Sequence, residues 1–250
     1  MNKENKKIIL KIKRQAGPEK PAQWETFAID YRPGMNVITC LMEIRKNPRT
    51  QDGNKTPPVS WEQNCLEEVC GACTMVINGK VRQSCSSLVD NLEQPIQLEP
   101  MTKFPLVRDL VVNRSSMFES LKRVKAWIPV DGTHDLGPGP RISPKQQQKN
   151  YALSRCMTCG CCVESCPQFN SHSDFIGPAA IGQALLFNSH PTGQRNASDR
   201  TQSLMAKGGI QDCGNAQNCV EVCPQDIPLT EAIAEMNRQV TLEMFGMLKK

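Results

Sequence analysis

Apolar and polar positions alternate from the start of the chain. In residues 6–14, KKIILKIKR, Ile8, Leu10 and Ile12 fall on one face and lysines on the other, the period of two of a half-buried strand. GPEKP, from Gly17 to Pro21, reads as a turn. Alternation resumes from Trp24 to Asp30, so a second strand closes a hairpin. Pro33-Gly34 breaks it, and Asn36 stands as a cap before a run in which Val37, Leu41 and Ile44 recur at helical spacing. Residues 47–58 are a polar, Pro-rich loop. Asn78-Gly79, flanked by Val76, Ile77 and Val81, predicts a type I′ hairpin, and residues 95–100 a further strand.

Beyond this point the period changes. Residues 106–128 read as a helix leading to the second half, and residues 131–149 as a Gly/Pro-rich linker followed by a polar run. His134 lies in that linker and is expected to be solvated. After Tyr151 no strand alternation remains. Ala179–Phe187 and Leu229–Leu248 are expected helices. The last carries a stripe of Ile233, Met236, Val240 and Met244 that reads as core. The predicted class is α+β: residues 1–112 a small sheet crossed by a helix, 113–150 a connecting helix and linker, 151–250 an all-α domain.

Composition narrows the function. The 250 residues suit one large or two small domains, and the net charge is +5. Lys6, Lys7, Lys11, Lys13 and Arg14 sit along the first strand and are expected to form its solvated face rather than a nucleic-acid patch. Aromatic residues are few, which disfavours base stacking. No apolar run approaches the ~18–20 residues a spanning helix needs. Gly137–Gly139 is interleaved with proline and reads as linker, not a phosphate cradle. The chain opens MNKENKK with no apolar stretch behind it, so no signal peptide is expected. The 13 cysteines are clustered and odd in number, which favours metal ligation in a reducing compartment over a disulfide framework.

The cysteines carry the chemistry. Cys65, Cys70 and Cys73 form C-x4-C-x2-C, the plant-type [2Fe–2S] spacing. Gly71, with no Cβ, suits a loop whose backbone must pass close to the cluster sulfides. The hairpin at Asn78-Gly79 returns Cys85 beside Cys73, supplying a fourth thiolate. A zinc ribbon also takes four thiolates and competes for this set. Further on, Cys156, Cys159, Cys162 and Cys166 form C-x2-C-x2-C-x3-C-P, and Cys213-x5-Cys219-x3-Cys223-Pro224 answers it. In such runs the last cysteine ligates the other cluster. Cys156, Cys159, Cys162 and Cys223 therefore make four ligands for a [4Fe–4S] cube. Cys166, Cys213 and Cys219 make three, because Ala216 stands where a thiolate is expected, and a [3Fe–4S] cluster is predicted there unless an outside ligand holds a fourth iron. Pro167 and Pro224 fix φ and give rigid exits from the loops. Cys161 is out of phase and reads as a non-ligand, and Cys40 as a small buried apolar residue. No nucleophile–base constellation or phosphate loop is visible, so no catalytic residue is assigned.

Three cysteine groups in this order, CLEEVCGAC followed by Cys85, the PLVRDLVV stretch at 105–112 and two ferredoxin-like runs with a non-cysteine at 216, resemble the iron–sulfur subunit of succinate dehydrogenase and fumarate reductase. The resemblance covers nearly the whole chain. It implies an N-terminal β-grasp plant-type ferredoxin domain and an α-helical bacterial-type ferredoxin domain. It further implies one-electron relay between an FAD flavoprotein and a membrane anchor with quinone, in the order FAD, [2Fe–2S], [4Fe–4S], [3Fe–4S], then haem or quinone. Ubiquinone-reducing members carry a Trp where this chain has Ser171, and a His where it has Gly214. The pattern is closer to menaquinone-linked members whose anchor is a cytochrome b holding haem b, with menaquinone near the [3Fe–4S] end, where His172 or Phe169 could face it. The implied place is peripheral, on the cytoplasmic side of the cell membrane. The competing functional reading is the electron-transfer subunit of a soluble flavoenzyme, such as a thiol-linked fumarate reductase or a heterodisulfide-reductase-like complex. A zinc-stabilised interaction module is a third.

Overall fold

The computed structural model describes residues 6–128 and 139–248. His134 and the start of the expected linker, residues 131–138, lie outside them. The chain divides into two compact units, Met1–Arg114 with Cys159–Cys161, and Ser115–Thr158 with Cys162–Lys250.

In the first unit β1 (Lys7–Arg14) and β2 (Gln23–Asp30) pair antiparallel in full register, Lys7 opposite Asp30 and Arg14 opposite Gln23. Helix α1 (Val37–Lys46) follows; the Asn36 side chain accepts from the Thr39 N–H at 2.8 Å, a cap worth about 1 kcal/mol. Strands β3 (Thr74–Ile77) and β4 (Lys80–Gln83) flank Asn78 and Gly79, whose φ values of 49° and 75° are those of a type I′ turn. Strand β5 (Ile96–Glu99) runs parallel to β1 and antiparallel to β3, giving the sheet order β2-β1-β5-β3-β4. Ile8, Leu10 and Ile12 of β1 meet Val37, Leu41 and Ile44 of α1 in one core with Phe27, Met75, Ile77 and Leu98. The alternation read from the sequence is thus the alternation of burial.

Two expectations fail in this unit. Residues 106–112 are not helical: β6 (Leu106–Arg108) and β7 (Val111–Val112) form a small hairpin, and helix α2 (Ser115–Arg123) starts only after it. The turn is made by Asp109 at φ 47°, a left-handed conformation that no helix interior accepts. Arg14 is not part of a solvated face either. It lies on the Ile8–Ile12 side of β1 and is 5% exposed. Its Nε donates to Asp109 Oδ1 at 3.1 Å and its Nη1 to Glu25 Oε2 at 2.6 Å, while Nη2 donates to the Pro57 carbonyl at 2.9 Å. Asp109 also accepts the backbone N–H of Gln15 and of Ser60, each at 3.0 Å. A buried guanidinium is tolerated here because its donors are matched.

Every strand among the described residues belongs to the first unit; the second is helical. Helix α3 (Pro144–Ser154) occupies what reads in sequence as a polar run. Ser143 caps it, accepting from Gln146 N, and Pro144 sits in the first turn, where its missing N–H costs nothing. Short helices α4 (Cys161–Glu164) and α7 (Asn218–Glu221) lie within the two late cysteine runs. Helices α5 (Pro178–Ser189), α6 (Ala197–Met205) and α8 (Leu229–Met244) pack together. The stripe on α8 is core at Ile233, Met236 and Val240 but not at Met244, which is 66% exposed near the helix end. Arg200 of α6 is fully buried and donates to the carbonyls of Lys125, Trp127 and Gly193 and to Asn188 Oδ1.

Candidate iron–sulfur sites

None of the 13 cysteines is joined in a disulfide. The first site is built from a surface loop and a hairpin. Leu66, Glu68 and Gly71 have φ of 64°, 59° and 71°. Left-handed residues alternating with ordinary ones curl the loop, so that successive N–H groups point inward and form an anion-binding nest of the kind that holds iron–sulfur clusters. The sulfurs receive those donors: Cys65 Sγ accepts from Glu67 N and Val69 N, and Cys70 Sγ from Ala72 N, all at 3.4 Å. The two N–H groups draw the Cys65 thiol down to about 7, and Cys70 adds to this. Cys73 and Cys85 lie just outside the paired ends of β3 and β4. Ser84 N donates to the Cys73 carbonyl at 3.2 Å, and the two thiols interact. Burial pushes the Cys73 thiol up to about 12, which soft metal ligation would reverse by taking the thiolate. Asn36 ties helix α1 into the site, its Nδ2 donating to the Cys85 carbonyl at 2.8 Å. Sequence spacing found the four cysteines and the hairpin; the Asn36 link is absent from the local pattern because it spans 49 residues.

The loop bearing Cys159 also lies in the first unit. Thr158 and Gly160 have φ of 53° and 95°. Cys159 is 9% exposed, and its thiol falls to about 7, first through the Cys161 thiol and then through backbone donation and the Arg114 charge. Cys161 is fully buried and accepts from Gln83 Nε2 at 3.8 Å. Cys40 is fully buried in α1, where desolvation pushes its thiol up to about 12.

In the second unit, Cys166, Cys213 and Cys219 line one mostly apolar concavity of about 340 Å³, partly open to solvent, together with Ala216 and Pro167. Cys219 rises to about 11, through burial and then through the neighbouring Cys166 and Cys213 thiols. Asn215 and Gln217 have φ of 51° and 63°, repeating the curled-loop device, and Asn218 Nδ2 donates to the Ser165 carbonyl at 3.0 Å, joining the two late runs. Cys156 lines a separate shallow depression with Thr158, Val163 and Ile176. Cys162 is buried in α4, and Cys223 accepts from Ile227 N at 3.5 Å.

Among the described residues no three His, Cys, Asp or Glu side chains converge on one single-ion position. In a cluster different irons take the thiolates, so ligands need not crowd around one atom as in a zinc site with Zn–S bonds of ~2.3 Å. The fit to iron–sulfur groups therefore rests on soft thiol donors and on loops whose N–H groups face sulfur.

Comparison with known proteins agrees with this chemistry. Residues 9–119 match a family described as a 2Fe-2S iron-sulfur cluster binding domain, and residues 152–227 one described as a 4Fe-4S dicluster domain. The chain is 60% identical over 242 residues to the succinate dehydrogenase iron-sulfur subunit of Bacillus subtilis, covering 97% of this chain and 96% of that protein. It is 30% identical over 235 residues to the fumarate reductase iron-sulfur subunit of Wolinella succinogenes, covering 93% and 95%. A chain from the solved Sdh1 complex of Mycobacterium smegmatis in the apo form superposes with a TM-score of 0.80, covering 96% of this chain and 98% of that one, at 20% identity.

Proposed function

The chain belongs to the family of iron–sulfur subunits of succinate dehydrogenase and fumarate reductase, and from that premise we propose how its residues divide an electron relay among them. The subunit serves an oxidoreductase complex by carrying electrons between a flavoprotein subunit and a membrane anchor. Cys65, Cys70, Cys73 and Cys85 hold a [2Fe–2S] group; Cys156, Cys159, Cys162 and Cys223 a [4Fe–4S] group; Cys166, Cys213 and Cys219 a [3Fe–4S] group. When bound, these groups accept and release single electrons, with potentials set by ligand set, hydrogen bonding and burial.

The observation that carries the reading is the repeated loop device. In each cysteine region left-handed residues flank the ligands, and backbone N–H groups donate to the sulfurs of Cys65, Cys70 and Cys223, which stabilises thiolate and added charge. The β-grasp reading of the first unit is supported by its mixed sheet crossed by α1, and the bacterial-type ferredoxin reading of the second by its helices around two linked runs. FAD and haem b belong to partner subunits. The Gly214–Asn218 loop is exposed beside Cys213 and Cys219, which favours it as the exit toward a cytochrome b anchor and menaquinone. No helix among the described residues is long and apolar enough to cross a membrane, so attachment through the anchor is the consistent arrangement. Cysteine runs that hold clusters need thiols kept reduced, which favours the cytoplasmic face. Relatives matching over more than nine-tenths of the chain are named as succinate dehydrogenase and fumarate reductase subunits, which does not favour the soluble-flavoenzyme alternative.

Low-temperature EPR of the complex tests the assignment. A three-iron signal in the oxidised state and a [2Fe–2S] signal on mild reduction are expected. A zinc content matching the thiol sets, with no paramagnetic signal in either state, would overturn it.

A further inference from the structure

Arg114 lies just after β7, on a stretch with no cysteine, yet it reaches both cysteine loops of the first unit. Its Nη1 donates to the Gly71 carbonyl at 2.7 Å and to the Cys159 carbonyl at 3.3 Å. Its Nη2 pairs with Glu62 Oε2 at 3.0 Å, the guanidinium being 17% and the carboxylate 46% exposed. The two loops touch where the guanidinium sits. A Cβ added at Gly71 would lie 2.6 Å from the Cys159 Cβ and 2.7 Å from its Cα. Gly71 therefore leaves out a side chain so that the loops can meet, and Arg114 fastens both backbones at the meeting point.

We propose that Arg114 is a positioning residue for electron transfer between these loops. It fixes their separation through two carbonyls, and its charge stabilises the electron on whichever side holds it. The transfer moves one electron and forms or breaks no bond, with the donor supplied by the complex's own dicarboxylate reaction. Two features of the guanidinium suit the task. It presents donors in a rigid fork, which a lysine ammonium does not, and it stays charged at any working pH. Glu62, more exposed than Arg114, offsets the charge only in part. The proposal rests on the relay reading above.

The test uses the assembled, cluster-loaded complex carrying R114Q, R114K or E62Q. Potentiometric EPR reads the midpoint of the [2Fe–2S] signal. Its spin-relaxation rate with the neighbouring centre reduced reports their separation. R114Q is expected to shift the one-electron equilibrium against reduction at least threefold, which is ~28 mV at 59 mV per tenfold, and to slow the relaxation. R114K keeps the charge, so its midpoint stays within twofold while relaxation still slows; if R114Q does not assemble, R114K carries the test. E62Q removes an opposing charge and is expected to move the midpoint upward. Wild-type midpoint and relaxation in an assembled R114Q or R114K complex would overturn the proposal, as would a downward shift in E62Q matching that of R114Q. If the wild-type complex lacks the [2Fe–2S] signal, the relay reading itself fails.

Discussion

Asp109 offers a sharp test of what holds the first unit together. Its carboxylate is 2% exposed and accepts from Arg14 and from the N–H groups of Gln15 and Ser60. Asp109→Ala leaves the Arg14 guanidinium buried with one carboxylate fewer. Removing one partner of a buried pair costs about 3–5 kcal/mol. Two backbone N–H groups also lose their acceptor, at about 1–3 kcal/mol each where water does not enter. Alanine pays a further ~1–2 kcal/mol for φ of 47°. These terms overlap, and we expect a net loss on the order of 5 kcal/mol, a third or more of the stability of an ordinary domain. For a chain of this size that lowers the unfolding midpoint by about 10–20 °C. Asp109→Asn keeps the shape, one acceptor and a residue type at home in the left-handed region, so about 1–3 kcal/mol is expected. Thermal unfolding of the cluster-loaded protein, followed by far-ultraviolet circular dichroism and by bleaching of visible absorbance, reads both variants. If D109A melts with the wild type, or no lower than D109N, then the network does not stabilise the unit and the reasoning is wrong.

Three further predictions follow from the sites. Ala216→Cys places a thiol in the concavity lined by Cys166, Cys213 and Cys219; most of the oxidised three-iron EPR signal should disappear, and an undiminished signal would count against that ligand set. Gly71→Ala combines φ of 71° with the overlap on Cys159 and should cost about 2–5 kcal/mol and perturb the visible circular dichroism, whereas Gly34→Ala, at φ 77° in open space, should pay only the conformational cost of ~1–2 kcal/mol; equal unfolding midpoints for the two would refute the close approach of the loops. Cys40, ordinarily near 9.0, is pushed up to about 12 by burial, so its contribution is complete below pH ~9 and is lost as pH climbs toward 12. Cys40→Ala should therefore trail the wild type by about 0.5–3 kcal/mol at pH 7 in urea unfolding, with the gap closing by pH ~10–11, and a gap independent of pH would show that the thiol is not desolvated.

Sequence reading succeeded where the determinant is local and periodic. The alternation of Ile8, Leu10 and Ile12, the Asn36 cap and the Asn78-Gly79 turn each predict an element that stands where expected, because each depends on neighbours within a few residues. It failed where distant partners decide. Residues 106–112 carry apolar spacing compatible with a helix, but Asp109 is bound to Arg14, 95 positions earlier, and that anchor forces a turn. Arg14 reads as solvent-facing for the same reason: its partners Glu25, Pro57 and Asp109 lie 11, 43 and 95 positions away. Helix α3 was hidden by a glutamine-rich run with no apolar face, and rests on Ser143 and Pro144 at its start. The cysteine runs are legible because spacing within a loop is a local pattern. Arg114 is not, since its carbonyl partners lie 43 and 45 positions away and carbonyls leave no mark on a sequence. Spacing can thus propose where the redox groups of a relay are held. What brings the Gly71 and Cys159 loops together is a glycine without a side chain and an arginine bound to backbone, and only the folded chain shows these meeting.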